Sequence, residues 1–518
     1  MAQVIVIHYG GVKVNGKYET LVFYEGLISA LRKNGNNVME IITNDFLNRA
    51  WNGSNELRPE IQSERLMGDI LRFQPDLIIS FNNSSIKGLE KSVDCPIAIW
   101  DADHFYHFND LDELRANINR YIFFCSQKSD IFDCQAILGA SRDQCYLMKP
   151  ATSVISDESV EKKHVISFVG TAFGNSEEKK KLQQHEESYV ALAKEILSQE
   201  ESVENLAQKY AHIPEVEQTI LDFGSVSARA NTLAHVAPLG LNIHGGNGWL
   251  EVGLDSSLDI FCAYNPERVY SLKQTEDLYN ASKIGLNINH AQAKSGYSWR
   301  VMDILASSAA LVSNYSSDLE DELGKDLSKL IFYKTPMEAH EICSRLIRDE
   351  NLRTEIVRRS NEIVRKYHTW EIRVSEMQDI LGVNLVSIQR QQGEYILLDS
   401  RNYQSSYFEA LSHLHSRGHI LIRIVRFMLP YGVVKIMKQE NIRSTTRRAK
   451  EYLMELVCFV LPYGLAKFVL NKANRNLLHR QILDIFRTGI PKREPISIRL
   501  IRFLLPYGFV QIVRWMKR

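Results

Sequence analysis

Short, β-branched apolar runs recur through the first 400 residues, and amphipathic stretches separate them. VIVIHY (4–9), NVMEIIT (37–43), DLIISF (76–81), IAIW (97–100) and YIFFCS (121–126) form the first series. Such runs, bounded by turn residues, read as strands buried on both faces. Alternated with helices, they predict a parallel, doubly wound sheet. TLVFYEGLISALRKNG (20–35) is one such helix, closed by glycine. A second series starts at His164 with HVISFVG (164–170), LNIHGGNGW (241–249), IFCAYN (260–265), IGLNIN (284–289), AALVSN (309–314) and LIFY (330–333). Charged helices are expected within 176–236, with further helices around 336–348, 350–366 and 368–381. The fold class is therefore α/β, with two Rossmann-like halves, 1–155 and 160–385, facing a cleft. In such sheets ligands bind at the carboxyl ends of the strands.

The totals exclude several classes. Seven cysteines occur with no CxxC pair, so neither a zinc site nor a disulfide framework is indicated, and a reducing compartment is the simpler reading. MAQVIVIHYGG lacks a basic n-region and meets a polar turn too early for a signal peptide. No apolar run approaches the ~20 residues of a membrane span. The expected location is cytoplasmic, with the inner membrane face as an option. Charge is unevenly spread. Residues 401–518 hold 22 Lys and Arg against 6 Asp and Glu, which leaves 40 against 56 of the chain's 62 and 62 in residues 1–400. That asymmetry points to a basic tail that meets an anionic surface or packs on the acidic body.

The tail, 400–518, carries three related segments around Pro430, Pro462 and Pro506, each with an apolar stretch, Leu-Pro-Tyr-Gly and a second apolar stretch with Lys or Arg. Pro-Tyr-Gly breaks a helix, so each unit predicts a helix–corner–helix hook. Basic residues among Leu, Ile and Phe suit a membrane surface through 421–518, or packing into a homo-oligomer. They suit nucleic acid poorly, and no nucleic-acid partner is expected.

Polar chemistry concentrates between Glu276 and Asn314, which read helix, strand, glycine-containing loop, helix, strand. A helix N-terminus favours anions such as phosphate. Arg300 stands at that terminus and offers a planar cation for a diphosphate. Asp303 lies one turn on and suits sugar hydroxyls. Lys294, Tyr297 and Ser298 occupy the loop before the helix, and His290 follows the strand.

Residues 276–314 resemble the CgeB-like, group 1 glycosyltransferases of the GT-B type. The resemblance is carried by Leu278-Tyr279, Gly285-Leu286-Asn287, Gly296, Arg300, Asp303-Ile304-Leu305-Ala306 and Asn314. ISFVG (166–170), HGGNGW (244–249) and HTWEIR (368–373) are similar too. It covers about 160–385 well, 1–150 loosely and the tail not at all. It implies a transferase that moves a sugar from a nucleotide-diphosphate donor, without a metal cofactor, to a glycan, lipid-linked or protein acceptor in bacterial surface glycan synthesis. Related enzymes carry two glutamates eight positions apart near this helix. Here Ser295 and Asp303 stand there, so a mechanism needing the first glutamate is not carried over.

Gly170 and Thr171 follow a strand, where a missing side chain lets backbone N–H groups approach phosphate. His244 and Gly245 are candidates for the same donor role. Asp101-Ala102-Asp103-His104 follows IAIW. Asp101, Asp103 or His104 could take the proton of an acceptor hydroxyl, and His8 is a further candidate. Two alternatives stay open. Asp101 and Asp103 could instead hold a divalent ion, as in a metal-dependent GT-A transferase. The chain could also be a non-catalytic scaffold on a membrane surface.

Overall fold

In the computed structural model, the described residues are 1–403, except 15–16, 49–53, 106–107, 173–187, 189–190, 193–194, 196–202, 214–215, 256 and 388–390. The Leu-Pro-Tyr-Gly segments of the tail lie outside them. The described chain forms two compact units, residues 1–167 with 269–403, and residues 168–268.

The strands in chain order are β1 (Gln3–His8), β2 (Gly11–Val14), β3 (Lys17–Thr20), β4 (Asn37–Ile42), β5 (Leu77–Phe81), β6 (Ile97–Trp100), β7 (Tyr121–Cys125), β8 (Cys145–Leu147), β9 (His164–Val169), β10 (Leu241–His244), β11 (Tyr264–Asn265), β12 (Ser282–Asn287), β13 (Ala310–Asn314), β14 (Phe332–Tyr333) and β15 (Tyr395–Leu398). In the first unit, seven run parallel in the order β15-β4-β1-β5-β6-β7-β8. Alternate residues of β1 serve opposite faces, as the period of two requires. Val4 and Val6 pack with Leu27, Leu31, Trp370, Val374 and Met377. Ile5 and Ile7 pack with Leu66, Ile70, Phe105 and Leu138. Both faces are covered, which explains the unbroken apolar runs.

Of the remaining sheet strands, β12, β13 and β14 belong to the first unit, and β10 and β11 to the second. In the first unit, β9 is followed by β12, β13 and β14, and Ser167 meets Ser282 through their hydroxyls at 2.7 Å. β12, β13 and β14 are parallel. In the second unit, the end of β9 neighbours β10, and β10 pairs in parallel with β11. The expected α/β class with two parallel sheets is the observed one.

Four local expectations are corrected. IFCAYN is mostly helix, Leu258–Ala263, because Ser257 caps it by accepting the Asp259 N–H; only Tyr264–Asn265 is strand. LIFY likewise splits, since Leu330 and Ile331 end the helix Lys325–Ile331. The chain beyond Gly10 makes the antiparallel hairpin β2–β3 rather than a simple turn. β15 was not anticipated at all. It pairs with β4, and Tyr403 donates its hydroxyl to Asp69 at 2.7 Å, so ordered chain of the first unit reaches at least Tyr403. Among the described residues no helix is long and apolar enough to cross a membrane.

Candidate functional site

The polar loop between β12 and the helix Arg300–Ala306 is held by its own first unit. Gln127 clamps it: its Oε1 accepts the N–H groups of Ser295 and Gly296 at 3.2 and 2.8 Å, and its Nε2 donates to the Gln292 carbonyl at 3.2 Å. A Cβ on Gly296 would meet the Gln127 Cβ at 2.5 Å, so only glycine fits beneath the clamp. The loop's far end is anchored by Trp299, which packs among Phe23, Phe81, Trp100 and Trp370 with ring centroids 5.3–6.1 Å away. Asn287 and Asn289 tie the strand ends together. The Asn287 amide donates to Asn289 Oδ1 and Ser313 Oγ, and Asn289 Oδ1 also accepts the Ser298 N–H. Gln127 and Trp299 were missed from sequence because each acts through partners distant along the chain; Asn289 was missed although its partners Asn287 and Ser298 lie within nine residues.

Arg300 follows this anchored residue directly. It is partly buried, and burial lowers its hold on its proton, an effect that Tyr279 and Asp303 only partly offset. A guanidinium has five N–H donors. Among the described residues Arg300 makes a single long hydrogen bond, 3.4 Å to Asn287 Oδ1. Arg300 and Asp303 turn to different partners. Asp303 is buried, and its Oδ1 accepts the Thr152 hydroxyl at 2.6 Å. Burial raises its pKa to about 6, against the lowering pull of Thr152 and Arg300. Asp303 therefore braces the crossing segment at Thr152 instead of standing open to sugar hydroxyls. The helix start is also less open than expected. The Val301 and Met302 amides donate to the Ser298 and Trp299 carbonyls, which leaves the Arg300 side chain as the anion-seeking group.

The other loop residues separate. Lys294 donates to Asp133 Oδ2 at 3.2 Å. His290 is half-buried, and its Nδ1 accepts the Gln292 N–H. Ser298 is half-buried beside Arg300. Tyr297 corrects the expectation of a donor contact: it is buried near Glu322, Arg373 and Asp318, and burial raises its pKa well above the usual range.

The segment after β6 also divides. Asp101 is buried, and its Oδ1 accepts the Ser126 N–H at 2.6 Å. Burial, and then the adjacent Asp130 carboxyl, push its pKa well above the usual carboxylate range. Asp101 is thus closed off from an acceptor. His104 is buried as well, with Nε2 2.8 Å from Asp133 Oδ2. Asp103 is the open member. It is half-buried, held by the Asn82 amide at 3.2 Å, and 3.4 Å from Gln292 Nε2. Asn82 Oδ1 also accepts the N–H groups of Ala102 and Asp103. His8 is fully buried, bonded to Glu40 at 2.7 Å and stacked on Tyr24, which is a structural role.

In the second unit, Gly170 does not offer its N–H to a ligand. It donates to the His244 carbonyl at 2.9 Å, and the Gly170 carbonyl accepts from Trp249 Nε1 at 2.7 Å. A Cβ on Gly245 would overlap that same carbonyl oxygen, so the glycines here permit close backbone packing. The Thr171 carbonyl accepts from Arg229 at 2.6 Å. His244 is buried against the Glu267 carbonyl, and burial lowers its pKa.

Residues 229–379 match a family model described as "Glycosyl transferase-like". The chain is an enzyme of the glycosyltransferase class. The match takes in the loop and Arg300. A search of curated proteins gives no match. Among solved structures, sucrose-phosphate synthase from Thermosynechococcus elongatus is 10% identical, with a TM-score of 0.44, over 73% of this chain and 98% of that one. WaaG, a glycosyltransferase involved in lipopolysaccharide biosynthesis, is 9% identical, with a TM-score of 0.42, over 73% and 100%. A DNA-modifying β-glucosyltransferase is 12% identical, with a TM-score of 0.41, over 73% and 99%. These are distant likenesses.

Proposed function

We propose that the chain transfers a sugar from a nucleotide-diphosphate donor to a glycan, lipid-linked or protein acceptor. One observation carries the reading: a partly buried arginine with most of its donors unused among the described residues follows a tryptophan anchor, at the carboxyl ends of parallel strands. Desolvating a guanidinium costs free energy, and an arriving diphosphate offsets it through paired N–H···O bonds. Arg300 then stabilises the charge that develops on the departing nucleotide, a preorganised electrostatic effect. His290 and Ser298, on the same loop, are proposed as donor contacts. Asp103 is the proposed base, since it alone of the 101–104 carboxylates and imidazole is open. It takes the proton of the acceptor hydroxyl as that oxygen attacks the anomeric carbon. Residues 1–155 are proposed to hold the acceptor. The basic tail is proposed to bring the enzyme to an anionic membrane surface, with surface glycan synthesis as the setting.

The test is a thermal-shift screen of nucleotide sugars on the full chain, because a ligand of the folded state raises its melting point. A hit should vanish in Arg300→Lys, whose point charge lacks the two-pronged geometry. Full turnover by that variant would refute the assignment.

A further inference from the structure

His104, Asp130 and Asp133 converge on one point of the first unit, and the reaction above uses none of them. Asp130 and Asp133 are three apart on the helix Lys128–Asp133, hence on one face. His104 comes from the segment after β6. One potential ligand atom from each of the three lies within 4.8 Å of those from the other two. His104 Nε2 and Asp133 Oδ2 are 2.8 Å apart. Two ligands bound at about 2.1 Å in adjacent octahedral positions stand about 3 Å apart, so this pair could take an ion between them with little movement.

An independent feature points to the same occupant. Asp101 is 2% exposed, and its carboxyl is hydrogen-bonded to that of Asp130. Its carboxyl faces that of Asp130, whose Oδ1 already accepts from Gln127 Nε2 at 2.8 Å. Two buried acceptors set against each other repel unless a proton or a cation lies nearby. Lys294 supplies one positive charge, 3.2 Å from Asp133, but its side chain is 36% exposed and it reaches the outer edge of the cluster only.

We propose that His104, Asp130 and Asp133 bind one divalent transition-metal ion, with the buried Asp101 carboxyl behind Asp130. A mixed imidazole and carboxylate set suits Mn²⁺ or Zn²⁺ better than Ca²⁺. The ion replaces the proton between His104 and Asp133. It fastens helix Lys128–Asp133 to the 101–104 segment and so fixes Asp103. It lies on the segment proposed for the acceptor, and the diphosphate contact of Arg300 does not depend on it.

The experiment titrates the chelator-treated full chain with Mn²⁺, read by calorimetry and by the loss of the free-ion spin-resonance signal. The expected result is one equivalent bound, a raised melting temperature, and affinity at least tenfold weaker in both Asp133→Asn and His104→Gln. Lys294→Met removes the cation that competes for Asp133 while leaving all three ligands in place, and it should bind Mn²⁺ more tightly. A shared proton in place of the ion predicts no saturable binding of Mn²⁺ or Zn²⁺ by the wild-type chain. That result, or unchanged binding in Asp133→Asn, overturns the proposal. Nucleotide-sugar affinity should be the same with and without Mn²⁺, which separates failure here from failure of the Arg300 reading.

Discussion

Replacing Asp303 with asparagine should make the protein more stable at neutral pH, although it removes a charge beside Arg300. The pKa of this buried carboxyl rises from 3.8 to about 6. The folded state therefore holds the proton more tightly than the unfolded chain does. The stability linked to it is complete below pH 3.8 and drains away as the pH climbs through 6. At 1.36 kcal/mol per unit, ionised Asp303 costs about 3 kcal/mol at pH 7.5. Asparagine is neutral at every pH, and its Oδ1 can still accept the Thr152 hydroxyl. Its Nδ2 faces Arg300 less favourably than a carboxylate does, so a gain of about 1–3 kcal/mol is expected at pH 7.5. The gain should shrink to near zero at pH 4. Urea unfolding of both proteins between pH 4 and 7.5 measures it. A difference that is independent of pH, or a variant less stable at pH 7.5, would show that the Arg300 charge already balances Asp303.

Three further outcomes are expected. Asp103→Asn should lower the transfer rate about 10²–10⁴-fold with little change in nucleotide-sugar KM, as steady-state kinetics would show; an equal loss through KM alone would make Asp103 a binding group. Gly296→Ala forces a Cβ to 2.5 Å from the Gln127 Cβ. It should cost about 1–3 kcal/mol in chemical denaturation and weaken nucleotide binding, because the loop leaves its clamp. Truncation after Tyr403, which spares β15 and the Tyr403–Asp69 bond, should preserve transfer to a soluble acceptor and abolish co-sedimentation with anionic vesicles; vesicle binding by the truncated chain would relocate the membrane contact.

Repeated apolar runs were enough to read the sheet strands β1, β4 to β7, β9, β12 and β13, because strands buried on both faces announce themselves by composition. β15 escaped notice because its four residues, Tyr395–Leu398, follow a polar stretch and acquire meaning only beside β4. IFCAYN misled because a short apolar run does not separate helix from strand, and the deciding signal was Ser257 as a cap. The position of Arg300 at the start of an apolar helix was legible. The role of Asp303 was not, since Thr152 lies 151 residues away. The same holds for Asp101 and His104: a carboxylate or imidazole beside a strand end looks equally available whether it meets an acceptor or, as here, Ser126 and Asp133.

The late arrival of β15 has a consequence for biosynthesis. β4 ends at Ile42, yet the strand that covers its outer edge begins at Tyr395. At roughly 5–20 residues per second a ribosome needs about 20–70 s to cover that distance. Throughout it, β4 presents a bare row of amides and carbonyls to every neighbouring nascent chain. Helper proteins that shield unpaired strands should therefore matter most for this polypeptide before β15 emerges.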